Sequence, residues 1–411
     1  MPHRRSFRLP VAALIAAAAL VLTAAGAAAE KPPTPIDDSA LNPTSDRFHA
    51  VGPNIGARTI QFWTGQATNP VNSATYTYRM VGADPASNDA ATIGVDIVPI
   101  DLNVGGMAFN ASDVIPAVLA SPLFQTGNYS STTAASTKTG GQGSGGELSA
   151  GGVDVQYLDA IMRSQFNKVG SDYHLYLSPV VRRAVTLTVP AAVGTTLVSP
   201  RFITYGAVDE TWFQPIVEGW TASLHYLQPH RLALFITDDV LLYSPASGCC
   251  VFGAHGTADT TAEGNGSDGR QSLQTFAWAS WMTAGFYKPS TSWVKQDING
   301  LSHEIAEWAA DPFMNNFVQP WSATGYGCSD ILETGDPVVG QGFTQGSTSF
   351  DQNIYSDGHY HPQDEVFLPW FMRTSPNDVS QPTQSDPSVG RYTFLGDLNG
   401  IWRFRQPPPS C

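Results

Sequence analysis

Apolar positions along this chain fall into two periodicities, alternating in its first half and mixed in its second. Thr75-Tyr76-Thr77-Tyr78 and Ile93, Val95, Ile97 recur every second residue, the period of a half-buried strand. His174 to Leu177 and Val185 to Val189 read as further strands, and Asp154 to Phe166 as a short helix between them. Residues 31–58 are Pro-rich and predict an extended lead-in. Ser130 to Gly152, with Gly140-Gly141 and Gly145-Gly146, predicts a flexible loop or linker. From about residue 200 the pattern changes. Asp209 is placed to cap a helix running to about Tyr226 with a bend at Pro215. Leu232 to Thr237, Cys250 to Ala254 and Gln274 to Trp281 read as strands, and a helix is expected from after Lys288-Pro289 to Ala310, stopped by Asp311-Pro312. The expectation is an α+β fold. A strand-rich half (30–199) precedes an α+β half (200–411), in which a helix packs on a mixed sheet and a loop-rich C-terminal region follows.

The N-terminus has a different pattern. Arg4, Arg5 and Arg8 precede an apolar stretch from Leu9 to Thr23, and Ala27-Ala28-Ala29 supplies small residues, the layout of a secretory signal peptide over 1–29. The apolar stretch is shorter than the ~20 residues a membrane span needs. Removal near Ala29 takes the net charge from −14 to −17, since three arginines and no acid are lost. A secreted protein with no membrane span is expected. Such acidity argues against a nucleic-acid partner, which calls for a Lys/Arg surplus. Export also gives the four cysteines meaning as disulfides. Cys249, Cys250, Cys328 and Cys411 allow three pairings, and no CxxC spacing is present for a Cys-based zinc site.

Charged residues make up only 14% of the chain, and of its 35 carboxylates just nine are Glu. Two of the nine follow one histidine within four residues in the last helix, Leu301-Ser302-His303-Glu304-Ile305-Ala306-Glu307-Trp308. At 100° per residue from Leu301, Ile305 lies near about 40° and Trp308 near about 340°, so these three form a core stripe. His303 (about 200°), Glu307 (about 240°) and Glu304 (about 300°) point away from it. Ligands at i and i+4 on a rigid helix can grip one metal ion, and the residue after the first then faces a bound water. This is the zincin arrangement with Glu in place of the second His. With nine His and nine Glu in 411 residues, an accidental HExxE has a probability of about 0.004. Zinc is the expected cofactor.

A third ligand is expected downstream. Glu333 and Asp336, in Glu333-Thr334-Gly335-Asp336-Pro337, follow Glu307 by 26 and 29 residues. Asp311 is nearer, although Asp before Pro at a helix end is usually a turn residue, and Asp330 is a weaker candidate. His359 and His361, in Gly358-His359-Tyr360-His361-Pro362, read as ligands, transition-state donors or loop histidines. His255 reads as a satisfied residue at the end of a buried strand.

Ser302-His303-Glu304-Ile305-Ala306-Glu307, Asp311-Pro312 and Glu333-Thr334-Gly335-Asp336 together resemble the signature of the EXORDIUM-like (phosphate-induced) secreted proteins. Those carry SHELAE, an Asn/Asp-Pro turn and a Glu-x-Gly-Asp segment. The chain is more similar still to uncharacterised bacterial secreted proteins that add a Tyr-His-Pro-Gln segment, here Tyr360-His361-Pro362-Gln363. Cys328 precedes the Glu-x-Gly-Asp segment here and follows it in the plant proteins. The resemblance implies Asp336 as third ligand with Glu333 the runner-up. The plant proteins are regarded as cell-wall growth mediators, which implies no peptidase activity.

Two functions fit these residues. One is a secreted zinc hydrolase, a metallopeptidase acting on protein or peptide, with Glu304 as general base and His361 or Tyr360 as oxyanion donor. The other is a non-catalytic cell-surface or cell-wall binding protein braced by a structural metal. Glu304 favours the first, because a structural site has no use for a free carboxylate between its ligands.

Overall fold

Leu232-Ala233-Leu234-Phe235-Ile236 has no polar face, and a strand with that composition must be covered on both sides. It lies near the centre of a seven-stranded mixed sheet. The structure is a computed structural model that describes residues 57–129, 134–136, 154–168, 170–244, 248–260, 272–287, 294–322, 328–350, 353–374 and 392–395. The signal-peptide segment 1–29, most of the Pro-rich lead-in and most of the Ser130–Gly152 segment lie outside these residues. So do Cys411 and the side chain of Cys249, and with them the cysteine pairing.

The main sheet is formed by β1 (Ala90–Val104), β2 (Met107–Asn110), β3 (His174–Val181), β4 (Val185–Val189), β5 (Arg231–Asp238), β6 (Gly253–Asp259) and β7 (Leu273–Trp281). Its order is β6-β7-β5-β1-β2, with β3 and β4 also paired to the long β1. β5 runs parallel to both β1 and β7, and β1 runs parallel to β3 and β4. The edge strand β6 and the short β2 are antiparallel to their partners. β1 joins strands from before and after residue 199, so the two expected halves share one sheet. All described residues fall in one compact unit, Pro33–Cys411.

Side-chain alternation sends successive residues of each strand into different cores. Ile93, Val95, Ile97, Leu232, Leu234, Ile236, Ala277 and Ala279 pack on one face. They meet α1 (Ala111–Ala120), α2 (Tyr157–Gln165) and α4 (Asn299–Ala310), with Leu301, Ile305 and Trp308 from the expected stripe among the contacts. Ala233, Phe235, Phe276 and Trp278 pack on the other face, against Phe213 and Val217 of α3 (Glu210–Ser223). A four-stranded sheet formed by Gly194–Val198, Thr204–Asp209, Val240–Ser244 and Gly248–Val251 adds Val208, Val240 and Leu242 there.

Asp209 caps α3 as expected, accepting a hydrogen bond from the Thr211 N–H at 2.8 Å. The expected strand at Cys250 is in fact two strands, Gly248–Val251 in the smaller sheet and β6 in the main one. α4 begins at Asn299, later than expected. Asp297 stands in the left-handed region at φ 43° and its carboxylate accepts the Ile298 N–H at 2.6 Å, which makes a turn where helix was anticipated. No helix among the described residues is long and apolar enough to cross a membrane.

Candidate metal centre

All twelve residues of α4 are buried, including its polar face. His303 is 5% exposed, Glu304 2% and Glu307 0%. A solvated helix face is therefore excluded. The polar face meets three elements: the edge strand β6, the segment from Ile331 to Asp336, and the segment from His361 to Glu365.

β6 contributes His255, which the sequence did not mark as part of the site. His255 stands opposite Ala277 in the antiparallel pair, and opposed residues share a sheet face, here the one α4 covers. Its Nδ1 lies 3.2 Å from Glu304 Oε2 and 3.8 Å from Glu307 Oε2, and its Nε2 lies 3.9 Å from Glu333 Oε2. Gly253, two residues earlier on the same face, admits Glu304: a Cβ there would come within 2.6 Å of Glu304 Cγ. Gly253→Ala is expected to displace the Glu304 carboxylate and reduce any activity that uses it by at least about tenfold. Kinetics beside a thermal melt check this, since loss of activity with little change in melting temperature is the signature of a moved side chain.

The Glu-Thr-Gly-Asp segment docks on the helix through its backbone. Glu307 Oε1 accepts the N–H groups of Gly335 (2.9 Å) and Asp336 (3.2 Å). Gly335 is required by close approach, because a Cβ would lie 2.5 Å from His303 Nδ1. This docking brings Asp336 Oδ1 to 3.6 Å from His303 Nε2, while Glu333 lies beside His255. The two expected third-ligand candidates thus attend different imidazoles.

Glu307 Oε2 is 3.1 Å from His303 Nε2, yet it accepts no hydrogen bond of acceptable geometry. Glu304 Oε1 is 3.8 Å from the same nitrogen. On the other side of the ring, the Gln363 amide nitrogen lies 2.8 Å from His303 Nδ1 and donates to the Gly335 carbonyl at 2.9 Å. The Gln363 N–H is held by Ser302 Oγ at 2.9 Å. Gln363 thus fixes the ring so that Nε2 faces the carboxylates. Two triads of ligand-type atoms result, His303-Glu304-Glu307 and His255-Glu307-Glu333, each with its atoms within 4.8 Å of one another.

Burial by itself would depress the His303 pKa, but Glu307, Glu304 and Asp336 together hold it well above the ordinary histidine value. Burial would raise the Glu307 pKa, and the His303 and His255 imidazoles with the Gly335 N–H bring it below the usual carboxylate value. Glu365, buried behind the site and accepting from the Tyr157 hydroxyl at 3.0 Å, has its pKa pushed well above the ordinary carboxyl value by desolvation.

The other expected site residues lie elsewhere. Tyr360, expected as an oxyanion donor, turns its hydroxyl to the Ala117 carbonyl at 2.9 Å and packs edge-on to Trp281. His361, expected in the same role, is clamped. Its Nδ1 pairs with Asp297 Oδ2 at 2.6 Å, and its Nε2 lies 3.2 Å from Asp357 Oδ2 and 3.1 Å from the Gln296 amide. The left-handed turn at Asp297 causes this, presenting one oxygen to the His361 ring and the other to the His361 N–H. Asp311 caps the end of α4 by accepting the Asn315 and Asn316 N–H groups, both at 3.0 Å. Asp330 and His359 are exposed.

The clamp predicts a pH dependence. Burial alone would lower the His361 pKa, but Asp297 and Asp357 raise it from 6.5 to about 9. Its contribution to stability is therefore complete below pH 6.5 and lost as pH rises through about 9. Denaturation midpoints measured across this range should fall in the wild type and change less in His361→Gln; identical pH dependence would exclude the clamp as its source.

No family model, curated protein or solved structure matches this chain.

Proposed function

We propose that this chain is a secreted, zinc-dependent hydrolase with a zincin-like arrangement and a peptide bond as its target. The carrying observation is Glu307 Oε2, wholly buried, without a hydrogen bond, and beside His303 Nε2 at 3.1 Å in a cluster with three further carboxylates. Buried acids at this density call for a cation. The donor set suits zinc: with bonds of ~2.0–2.2 Å, neighbouring ligand atoms of a tetrahedral ion stand about 3.3–3.5 Å apart. His303 Nε2 lies 3.1 Å from Glu307 Oε2 and 3.6 Å from Asp336 Oδ1. His303, Glu307 and Asp336 would hold the ion, and the antiparallel edge strand β6 beside α4, next to the parallel β7-β5-β1 core, supports the zincin-like reading.

Bound zinc supplies Lewis acidity toward a carbonyl oxygen and a water. Glu304 does the proton work: it accepts the proton of the attacking water and returns it to the departing amine. His255, 3.2 Å from Glu304 Oε2, sets the direction of that carboxylate. The backbone N–H groups of Gly335 and Asp336 immobilise Glu307 Oε1, so that only Oε2 is offered inward. Two carboxylate ligands temper the Lewis acidity, and slow turnover or a narrow substrate range is expected. Secretion is proposed on residues 1–29, and kinship with the EXORDIUM-like proteins on the His303–Asp336 signature.

One observation favours the second reading, a non-catalytic cell-surface or cell-wall binding protein with a structural metal. The cluster is closed, with His303 only 5% exposed, and closed sites are typical of structural metals. Elemental analysis of the mature protein and a broad peptide-cleavage screen decide between them. Bound transition metal with cleavage is the expected result. Metal without cleavage supports the binding reading, and absence of metal overturns both.

A further inference from the structure

We propose that the buried cluster is a two-metal centre. One divalent cation sits between His303 and Asp336, a second sits between His255 and Glu333, and Glu307 is shared. The inference rests on the metal-centre reading above and adds to it a second ion that the HExxE motif does not announce.

The cluster has an internal twofold logic. Each imidazole has its own terminal carboxylate, Asp336 at 3.6 Å from His303 Nε2 and Glu333 at 3.9 Å from His255 Nε2. Between the imidazoles stand the two carboxylates of α4. Glu307 Oε2 stands between the rings, 3.1 Å from His303 Nε2 and 3.8 Å from His255 Nδ1, and one ligand atom each of His255, Glu307 and Glu333 lie within 4.8 Å of one another. The other Glu307 oxygen is occupied by the Gly335 and Asp336 N–H groups. Glu304 divides its oxygens, Oε1 at 3.8 Å from His303 Nε2 and Oε2 at 3.2 Å from His255 Nδ1. It therefore lies over the gap between the two ions, where the base for a water held by both belongs.

Charge leads to the same count. His255, His303, Glu304, Glu307, Glu333 and Asp336 are each at most 5% exposed. Four ionised carboxylates with neutral imidazoles amount to −4, and one dication leaves −2 in a space with little water to solvate it. Two dications bring the sum to zero. Two histidines with four carboxylates is also a donor set used for paired first-row ions in carboxylate-bridged centres, and paired ions in hydrolases stand ~3.5–4 Å apart. The donors are borderline to hard, which suits Zn²⁺ or Mn²⁺.

The test is stoichiometry on the mature full-length chain, stripped with chelator and re-equilibrated with Zn²⁺ or Mn²⁺ alone. Elemental analysis is expected to give two ions per chain, falling to one in Glu333→Gln and in His255→Gln. The Mn²⁺-loaded wild type should show the electron paramagnetic resonance of an exchange-coupled pair, and each variant that of an isolated ion. Glu333→Gln is isosteric and carries the test if His255→Gln does not fold, which circular dichroism reports. Saturation at one ion per chain, unchanged in Glu333→Gln and with an uncoupled Mn²⁺ spectrum, would overturn the second site and leave the single-ion reading standing. Binding of no ion would overturn that reading as well.

Discussion

Glu304→Gln is expected to lower peptide hydrolysis by about 10²–10⁴-fold, the usual contribution of a positioned general base, while leaving bound metal in place. The amide has the shape of the carboxylate and can keep its place above Gly253 and beside His255, but it cannot take a proton from water. Folding should be nearly unaffected, because Glu304 is outside the Leu301-Ile305-Trp308 stripe that binds α4 to the sheet. The checks are kcat/KM, metal content and a thermal melt on the same preparations. Wild-type turnover in the variant would place the base elsewhere.

Metal removal is expected to have the largest effect on stability. A cation held at free concentrations about 1,000-fold above its Kd stabilises the native state by about 4 kcal/mol, and loses all of this on chelation. For a chain of this size that corresponds to a fall in Tm on the order of 5–10 °C. The origin is local. Without the cation, Glu304, Glu307, Glu333 and Asp336 face one another with only two imidazoles among them, all at most 5% exposed. Scanning calorimetry with and without chelator measures the shift, and His303→Ala should have a lower Tm and a smaller chelator-induced shift than the wild type. Equal melting of treated and untreated wild type would show that no ion braces this cluster.

Much of the framework is readable from periodicity. Leu301, Ile305 and Trp308 repeat at the helical period and pack where that period places them; Leu232–Ile236 has no polar face and is buried on both sides. Asp209 caps its helix because a short side-chain acceptor one residue before a helix can reach the second N–H inside it. The start of α4 could not be placed this way, since a left-handed Asp297 leaves no trace in hydrophobic spacing. The directions of Tyr360 and His361 are not legible in the chain for a related reason. Adjacency in a motif says nothing about where each side chain points, and these two point to the Ala117 carbonyl and to Asp297.

The contents of the site divide in the same way. His303, Glu304 and Glu307 come together on one side of α4 through helical geometry, which depends on local sequence alone. His255 joins them only because β6 is antiparallel to β7 and its odd positions face α4, a parity that a strand buried on both faces does not reveal. Asp336 and Glu333, three residues apart, are assigned to different imidazoles by the Gly335 and Asp336 N–H groups docking on Glu307. The motif was local and therefore visible in the chain. Whether its polar face met water or a second layer of acids depended on contacts between segments about 25 to 110 residues apart, which only the packed sheet and helix bring together.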